Sequence, residues 1–245
     1  MDVYEEMAEH YDLIYCDAVD LGFYLREARN ARGPVLEVAC GTGRILLTLL
    51  GSGIEACGID LSPAMLGVLK KKADALGIRP EVRVADMTDF SLGKEFALII
   101  VPYRSFLHLK DESSRKKALS RFMAHLRPGG RLILHTYNPS PDDLAMTGSH
   151  HLFESENMAA PDGRKYRLDW YLMADPKSRL GHYRIAITFD GGERHEFSME
   201  IRYPLMKDIR KLLAGAGFRN IKLYCGFDYS PFDEGCREAV WIAER

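Results

Sequence analysis

Val35-Leu-Glu-Val-Ala-Cys-Gly-Thr-Gly43 carries an apolar run into a turn with two glycines, and Gly58-Ile-Asp60 ends a second apolar run on a carboxylate. Between them, Arg44–Gly51 reads as an apolar helix, so the stretch spells strand, tight loop, helix and second strand. Gly41 and Gly43 let a backbone come close to a ligand at the helix N-terminus, where N–H groups lack intrahelical partners. Asp60 is placed to accept hydrogen bonds from the two hydroxyls of a ribose. A dinucleotide-binding loop would carry a third glycine at position 46, but that residue is Leu46. The missing glycine argues against a pyrophosphate ligand, and so against a nicotinamide-dependent dehydrogenase.

Downstream, strands and helices keep alternating, the pattern of a parallel sheet covered on both faces. Helix Ser62–Leu76 starts on a Ser-Pro cap, and strands Val82–Val84 and Phe96–Val101 follow. Helix Ser113–Leu126 stops at Pro128-Gly129-Gly130, before strand Arg131–Thr136. From 151 to 204 the apolar period becomes two: Tyr166, Leu168, Trp170 and Leu172 alternate with polar neighbours, as do Tyr183–Phe189 and Phe197–Tyr203. Helix Lys207–Ala216 and strands Ile221–Gly226 and Glu238–Ala243 then return to the first pattern. The expected fold is α/β, a Rossmann-like, doubly wound, mostly parallel seven-stranded sheet with an inserted antiparallel sheet. Residues 1–33 form an N-terminal helical segment bordering the site, 34–150 and 205–245 the ligand-binding domain, and 151–204 the insertion. One face of that insertion is apolar and must be covered by the main domain or a second subunit, which makes a lid and a homodimer contact its expected roles.

Composition limits the partners. The chain has 245 residues, 47% hydrophobic, with a formal charge of −2, which gives no basic face for nucleic acid. No apolar run reaches the roughly 20 residues of a membrane span, and residues 1–15 hold no signal-peptide core. The five cysteines form no Cys-x-x-Cys pair, so neither a disulfide framework nor a zinc ribbon is expected. A reduced, cytoplasmic protein follows. His150, His151 and Glu154 lack the spacing of a metal site, and none is expected.

Three signals arrive in order on parallel-sheet spacing: the glycine loop, Asp60, and Ala85-Asp86-Met87 after the third strand. An isolated Asp at a strand end is ordinarily a cap, and two glycines alone make only a tight turn. Together they place a ligand at the carboxyl ends of the strands, with Asp86 accepting from an adenine amino group. Glu37 and the spacing Ala39-x-Gly41-x-Gly43 resemble the S-adenosylmethionine loop of class I methyltransferases. Ala8–Asp12, Leu36–Gly43, Ser62–Met65, Asp86–Phe90, Phe106–Leu109 and His125–Gly130 extend the resemblance over nearly the whole chain. The pattern is similar to that of the nucleotide-linked aminosugar N,N-dimethyltransferases, which also carry an antiparallel insertion after the fifth strand. One departure stands out: His135-Thr-Tyr-Asn-Pro139 replaces the acidic, Trp-rich segment of that group, so the acceptor is expected to differ, with a sugar nucleotide as one option among several.

The resemblance implies S-adenosylmethionine as cofactor, held by Tyr11, Ala39, Cys40, Gly41, Gly43, Asp60, Leu61, Met65, Asp86, Met87 and Val101. It implies catalytic roles for Tyr11 and His108. Tyr11 reads otherwise as an aromatic docking its helix, and His108 as a cap on the helix start after strand four. Tyr15, Tyr103, Arg104, Tyr137, Asn138, Trp170 and Tyr229, with Asp228, are candidates for the acceptor wall, though each also serves as plain packing. The expected activity is methyl transfer to a small-molecule amine. O-methylation and a non-catalytic cofactor-binding scaffold are the alternatives.

Overall fold

The structure, a computed structural model, describes residues 3–16 and 18–245. In chain order its elements are α1 (Val3–Met7), α2 (Tyr11–Ile14), α3 (Leu21–Ala31), β1 (Val35–Val38), α4 (Arg44–Gly51), β2 (Ala56–Asp60), α5 (Pro63–Ala75) and β3 (Glu81–Val84). Next come β4 (Phe96–Val101), a 3-10 turn (Ser105–His108), α6 (Glu112–His125), β5 (Leu126–Tyr137) and α7 (Pro141–Ala145). Four long strands follow, β6 (His151–Ala159), β7 (Lys165–Asp175), β8 (Leu180–Phe189) and β9 (Arg194–Arg202). Last are α8 (Met206–Gly215), β10 (Arg219–Cys225), β11 (Ser230–Pro231) and β12 (Glu238–Glu244).

Two compact units result. The larger comprises Asp17–Asn138 and Pro204–Arg245, and its sheet runs β11-β10-β12-β5-β4-β1-β2-β3. β1 to β5 pair in parallel, and β12 lies antiparallel between β5 and β10. Seven of these strands match the expectation; the eighth, β11, is a two-residue edge bridge without enough length to leave a pattern. Every residue of β1 and β4 is buried, which is why both read as unbroken apolar runs rather than alternations. Ser62 caps α5 by accepting from the Met65 amide at 3.1 Å, with Pro63 in the first turn. Such a cap is worth about 1 kcal/mol. From β1 the chain steps to β2 on one side and later returns to β4 on the other. Strand order therefore reverses at β1/β4, the point at whose carboxyl ends open α/β sheets bind their ligands.

The smaller unit comprises Met1–Cys16 and Pro139–Tyr203 and holds the antiparallel sheet β6-β7-β8-β9. Its alternating residues Tyr166, Leu168, Leu172, Ile185, Ile187, Phe197, Met199 and Ile201 are buried. α1 and α2 pack on this sheet. Tyr4 donates to Met199 Sδ at 3.9 Å, Tyr166 donates to the Leu13 carbonyl at 2.8 Å, and the His10 ring lies 5.8 Å from Phe197. Part of the cover for the apolar face is thus the chain's own first helices, a source that periodicity within the insertion could not reveal.

The expectation of unpaired cysteines is corrected. Cys225 and Cys236 form a disulfide across the β10–β12 hairpin, with Cα atoms 5.5 Å apart. Their separation of 11 residues carries no motif, and only the hairpin brings them together. Cys16, Cys40 and Cys57 remain thiols. Among the described residues, no helix is long and apolar enough to cross a membrane.

Candidate active site

The glycine loop is built from left-handed backbone. Ala39, Gly41 and Gly43 have φ of 58°, 53° and 85°. Glycine adopts this conformation freely, whereas at Ala39 it costs roughly 1–2 kcal/mol. Cys40 extends the ladder by donating to the Ile59 carbonyl at 3.0 Å, and Gly43 closes the turn on the Cys40 carbonyl at 2.9 Å. Gly43 is the N-cap of α4 and brings no side-chain acceptor. A Cβ on Gly41 would lie 3.2 Å from Met65 Cε, so Met65 flanks the loop closely.

Asp60 ties the loop together. Its Oδ2 accepts from the Gly41 amide at 2.7 Å and its Oδ1 from the Ser62 amide at 2.9 Å. The third glycine missing at Leu46 has a counterpart on the strand. A Cβ on Gly58 would meet Leu46 Cδ2 at 2.9 Å and Cys40 Sγ at 2.6 Å. Close helix–strand approach is therefore achieved from β2, and fully buried Leu46 fills the space.

Beyond β3, the Ala85 amide donates to the Asp60 carbonyl at 2.9 Å, which sets the Asp86 loop beside Asp60. Asp86 Oδ1 accepts from the Thr88 amide at 2.7 Å and fixes the turn. Asp86 and Leu61 are exposed, and Met87 is half-buried. This run of Ala39, Cys40, Gly41, Gly43, Asp60, Leu61, Met65, Asp86 and Met87 along the ends of β1, β2 and β3 fits an adenosine with an amino-acid tail.

On the other side of the switch point, Val101 is buried at the end of β4, and the backbone then turns sharply. Tyr103 and Arg104 are consecutive non-glycine residues with φ of 53° and 65°. Each costs about 1–3 kcal/mol, and such strain persists only where neighbours over-determine it. Two clamps do so. Arg44 lies over the Tyr103 ring at 5.1 Å and is held by both oxygens of buried Asp20, at 2.5 and 2.6 Å. Arg104 is paired with Glu238 and lies over the Tyr137 ring at 4.2 Å. His135 donates from Nε2 to the same Glu238 carboxylate at 2.6 Å. His108, half-buried, ends the 3-10 turn that starts immediately after Arg104.

Burial alone would raise the Glu238 carboxyl, but the His135 hydrogen bond and the Arg104 guanidinium outweigh it and bring it down to about 2, from 4.5. A depressed carboxyl contributes stability that is present above the unfolded value and lost as pH falls through the folded one. Glu238→Gln should therefore flatten the acid limb of the urea-unfolding profile between pH 4.5 and 2. Because the side chain is a third exposed, water screens part of the effect.

The remaining candidates lie in different surroundings. Asn138 donates its amide to the Cys236 carbonyl at 3.0 Å, fastening β5 to the loop before β12. Tyr229 donates to Glu27 and lies under Arg26 at 4.9 Å, beside α3. Asp228 accepts from the Ser230 amide at 2.9 Å within its own turn. Tyr11, Tyr15 and Trp170 come together in the smaller unit, with ring centroids 4.5 Å and 5.6 Å apart along the row. Asp20, Arg44, His135 and Glu238 were not identified as site residues from sequence. Arg44 directly follows the loop, but nothing in the order of residues pairs it with Asp20 or Arg104 with Glu238. Burial pushes the Glu37 carboxyl well up, and its Oε2 has no partner among the described residues.

A methyltransferase domain model matches residues 35–130. The dTDP-3-amino-3,6-dideoxy-alpha-D-glucopyranose N,N-dimethyltransferase of Streptomyces fradiae is 32% identical over 210 residues, covering 78% of this chain and 80% of that one. The cypemycin N-terminal methyltransferase of a Streptomyces species is 26% identical, covering 99% and 98%. Among solved structures, an S-adenosylmethionine-dependent methyltransferase from Clostridium acetobutylicum superposes with a TM-score of 0.80 over 99% of both chains at 20% identity, which speaks to the fold.

Proposed function

The chain belongs to the class I S-adenosylmethionine-dependent methyltransferases, and we propose that within that family it methylates an amine nitrogen of a small molecule. The observation that carries this reading is the pairing of two built features across one switch point. The glycine loop with Asp60 lies at the ends of β1 and β2, and the strained Tyr103–Arg104 turn at the end of β4. Two of the similar proteins named above support an amine acceptor by their names: one is an aminosugar-nucleotide N,N-dimethyltransferase, the other an N-terminal methyltransferase.

The cofactor supplies an activated methyl on a sulfonium. Asp60 and the loop amides hold its ribose and tail, and the turn after β4 orients the acceptor. Proximity and orientation supply roughly 7–11 kcal/mol of barrier reduction, so an amine that is already unprotonated needs little further help. His108 contributes by orienting that amine or receiving its proton.

The test is incubation with labelled S-adenosylmethionine and three amines: dTDP-3-amino-3,6-dideoxyglucose, glycine and a short peptide with a free N-terminus. Label on nitrogen in any product supports the reading. Label only on oxygen from a metabolite extract overturns it. In the same assay His108→Asn should leave cofactor affinity unchanged and lower turnover, by less than the roughly 100-fold or more expected where a general base is essential. Wild-type turnover in His108→Asn would leave that side chain as a cap only.

A further inference from the structure

We propose that Glu238 is a positioning residue for methyl transfer. Its carboxylate holds the Tyr103–Arg104 turn and thereby sets the loop that presents His108 and the acceptor. The inference rests on the reading that the acceptor meets the chain at the end of β4.

Glu238 engages Arg104 twice, Oε1 accepting from Nη2 and Oε2 from Nε at 3.4 Å. A forked pairing of this kind fixes the plane of the guanidinium as well as its place. Tyr137 supports the other face of that plane. The carboxylate is itself fixed, because Oε2 also accepts from His135 on β5. In the β5–β12 ladder Glu238 stands opposite Tyr137 and Val240 opposite His135, so all three supports come from adjacent positions of two paired strands. Tyr103 is held independently by Arg44 and Asp20.

Arg104 transmits this placement onward. Its carbonyl accepts from the Leu107 amide at 2.8 Å, and the Ser105 amide donates to the Pro102 carbonyl at 3.1 Å. The 3-10 turn ending at His108 is thus started by the strained residues themselves. Because the pair is one third exposed, water screens part of its contribution to the fold, and its loss should be felt first and most strongly at the turn it holds.

The experiment compares wild type with Glu238→Gln by amide hydrogen exchange and by kinetics with dTDP-3-amino-3,6-dideoxyglucose. Exchange at Ser105 and Leu107 should accelerate roughly tenfold or more while β1 and β4 keep their protection. Affinity for S-adenosylmethionine should hold, and kcat should fall roughly tenfold while the cofactor KM stays. Unchanged exchange at the turn overturns the proposal. So does uniform acceleration, which marks a purely structural role, or full kcat despite a loosened turn. If wild type transfers methyl to none of the amines, the amine reading fails, while the exchange data still judge the clamp. Should Glu238→Gln not fold, Arg104→Gln breaks the same clamp from its other partner and leaves Glu238 with His135.

Discussion

Asp60→Ala is expected to weaken S-adenosylmethionine binding by roughly 10- to 100-fold, read by titration calorimetry on a protein that still folds. Two losses combine. A ribose held without acceptors leaves each hydroxyl unpaired, at about 1–3 kcal/mol per lost partner, and about 1.4 kcal/mol is already tenfold in affinity. The structure adds a second loss, because both Asp60 oxygens also accept from backbone, Gly41 on one and Ser62 on the other. Removing the carboxylate frees the glycine turn as well as the ribose. Asp60→Asn keeps one acceptor oxygen and should fall between wild type and Ala. Undiminished affinity in folded Asp60→Ala would remove Asp60 from the cofactor site.

Gly58→Val should destabilise the ligand-free chain by about 1–3 kcal/mol in urea unfolding and weaken cofactor binding at the same time. The added Cβ would stand 2.9 Å from Cys40 Cβ, which cannot swing aside, and 2.6 Å from Cys40 Sγ. Relief requires β1's end or α4 to move, and these carry the glycine loop. The gain in strand propensity on replacing glycine is at most about 1 kcal/mol and does not offset the overlap. Leu46→Ala in the same chain opens the helix side and should recover part of both effects, since Leu46 Cδ2 is the other close neighbour. Wild-type stability in the single variant would mean that α4 and β2 are not in the contact described.

Where a signal is local, the sequence by itself determined the result. β4 lies at Phe96–Val101 and α4 at Arg44–Gly51, as the apolar runs and glycine breaks require. Asp60 and the glycine loop also follow from local order, because strand, turn and helix put them within hydrogen-bond reach. The period of two in 165–203 likewise specified an antiparallel sheet, four strands in fact. What tertiary structure alone decided involves partners far apart in the chain. Arg104 finds Glu238 134 residues away, and His135 meets it from 103. Cys225 and Cys236 pair only because a hairpin folds, and residues 3–16 join the sheet of the smaller unit rather than α3. A charged side chain in a sequence shows what it can bond but not which opposite charge the sheet order sets beside it. β12 enters the sheet antiparallel next to β5, and that placement alone turns Glu238 from a residue near the chain's end into the support of the turn after β4.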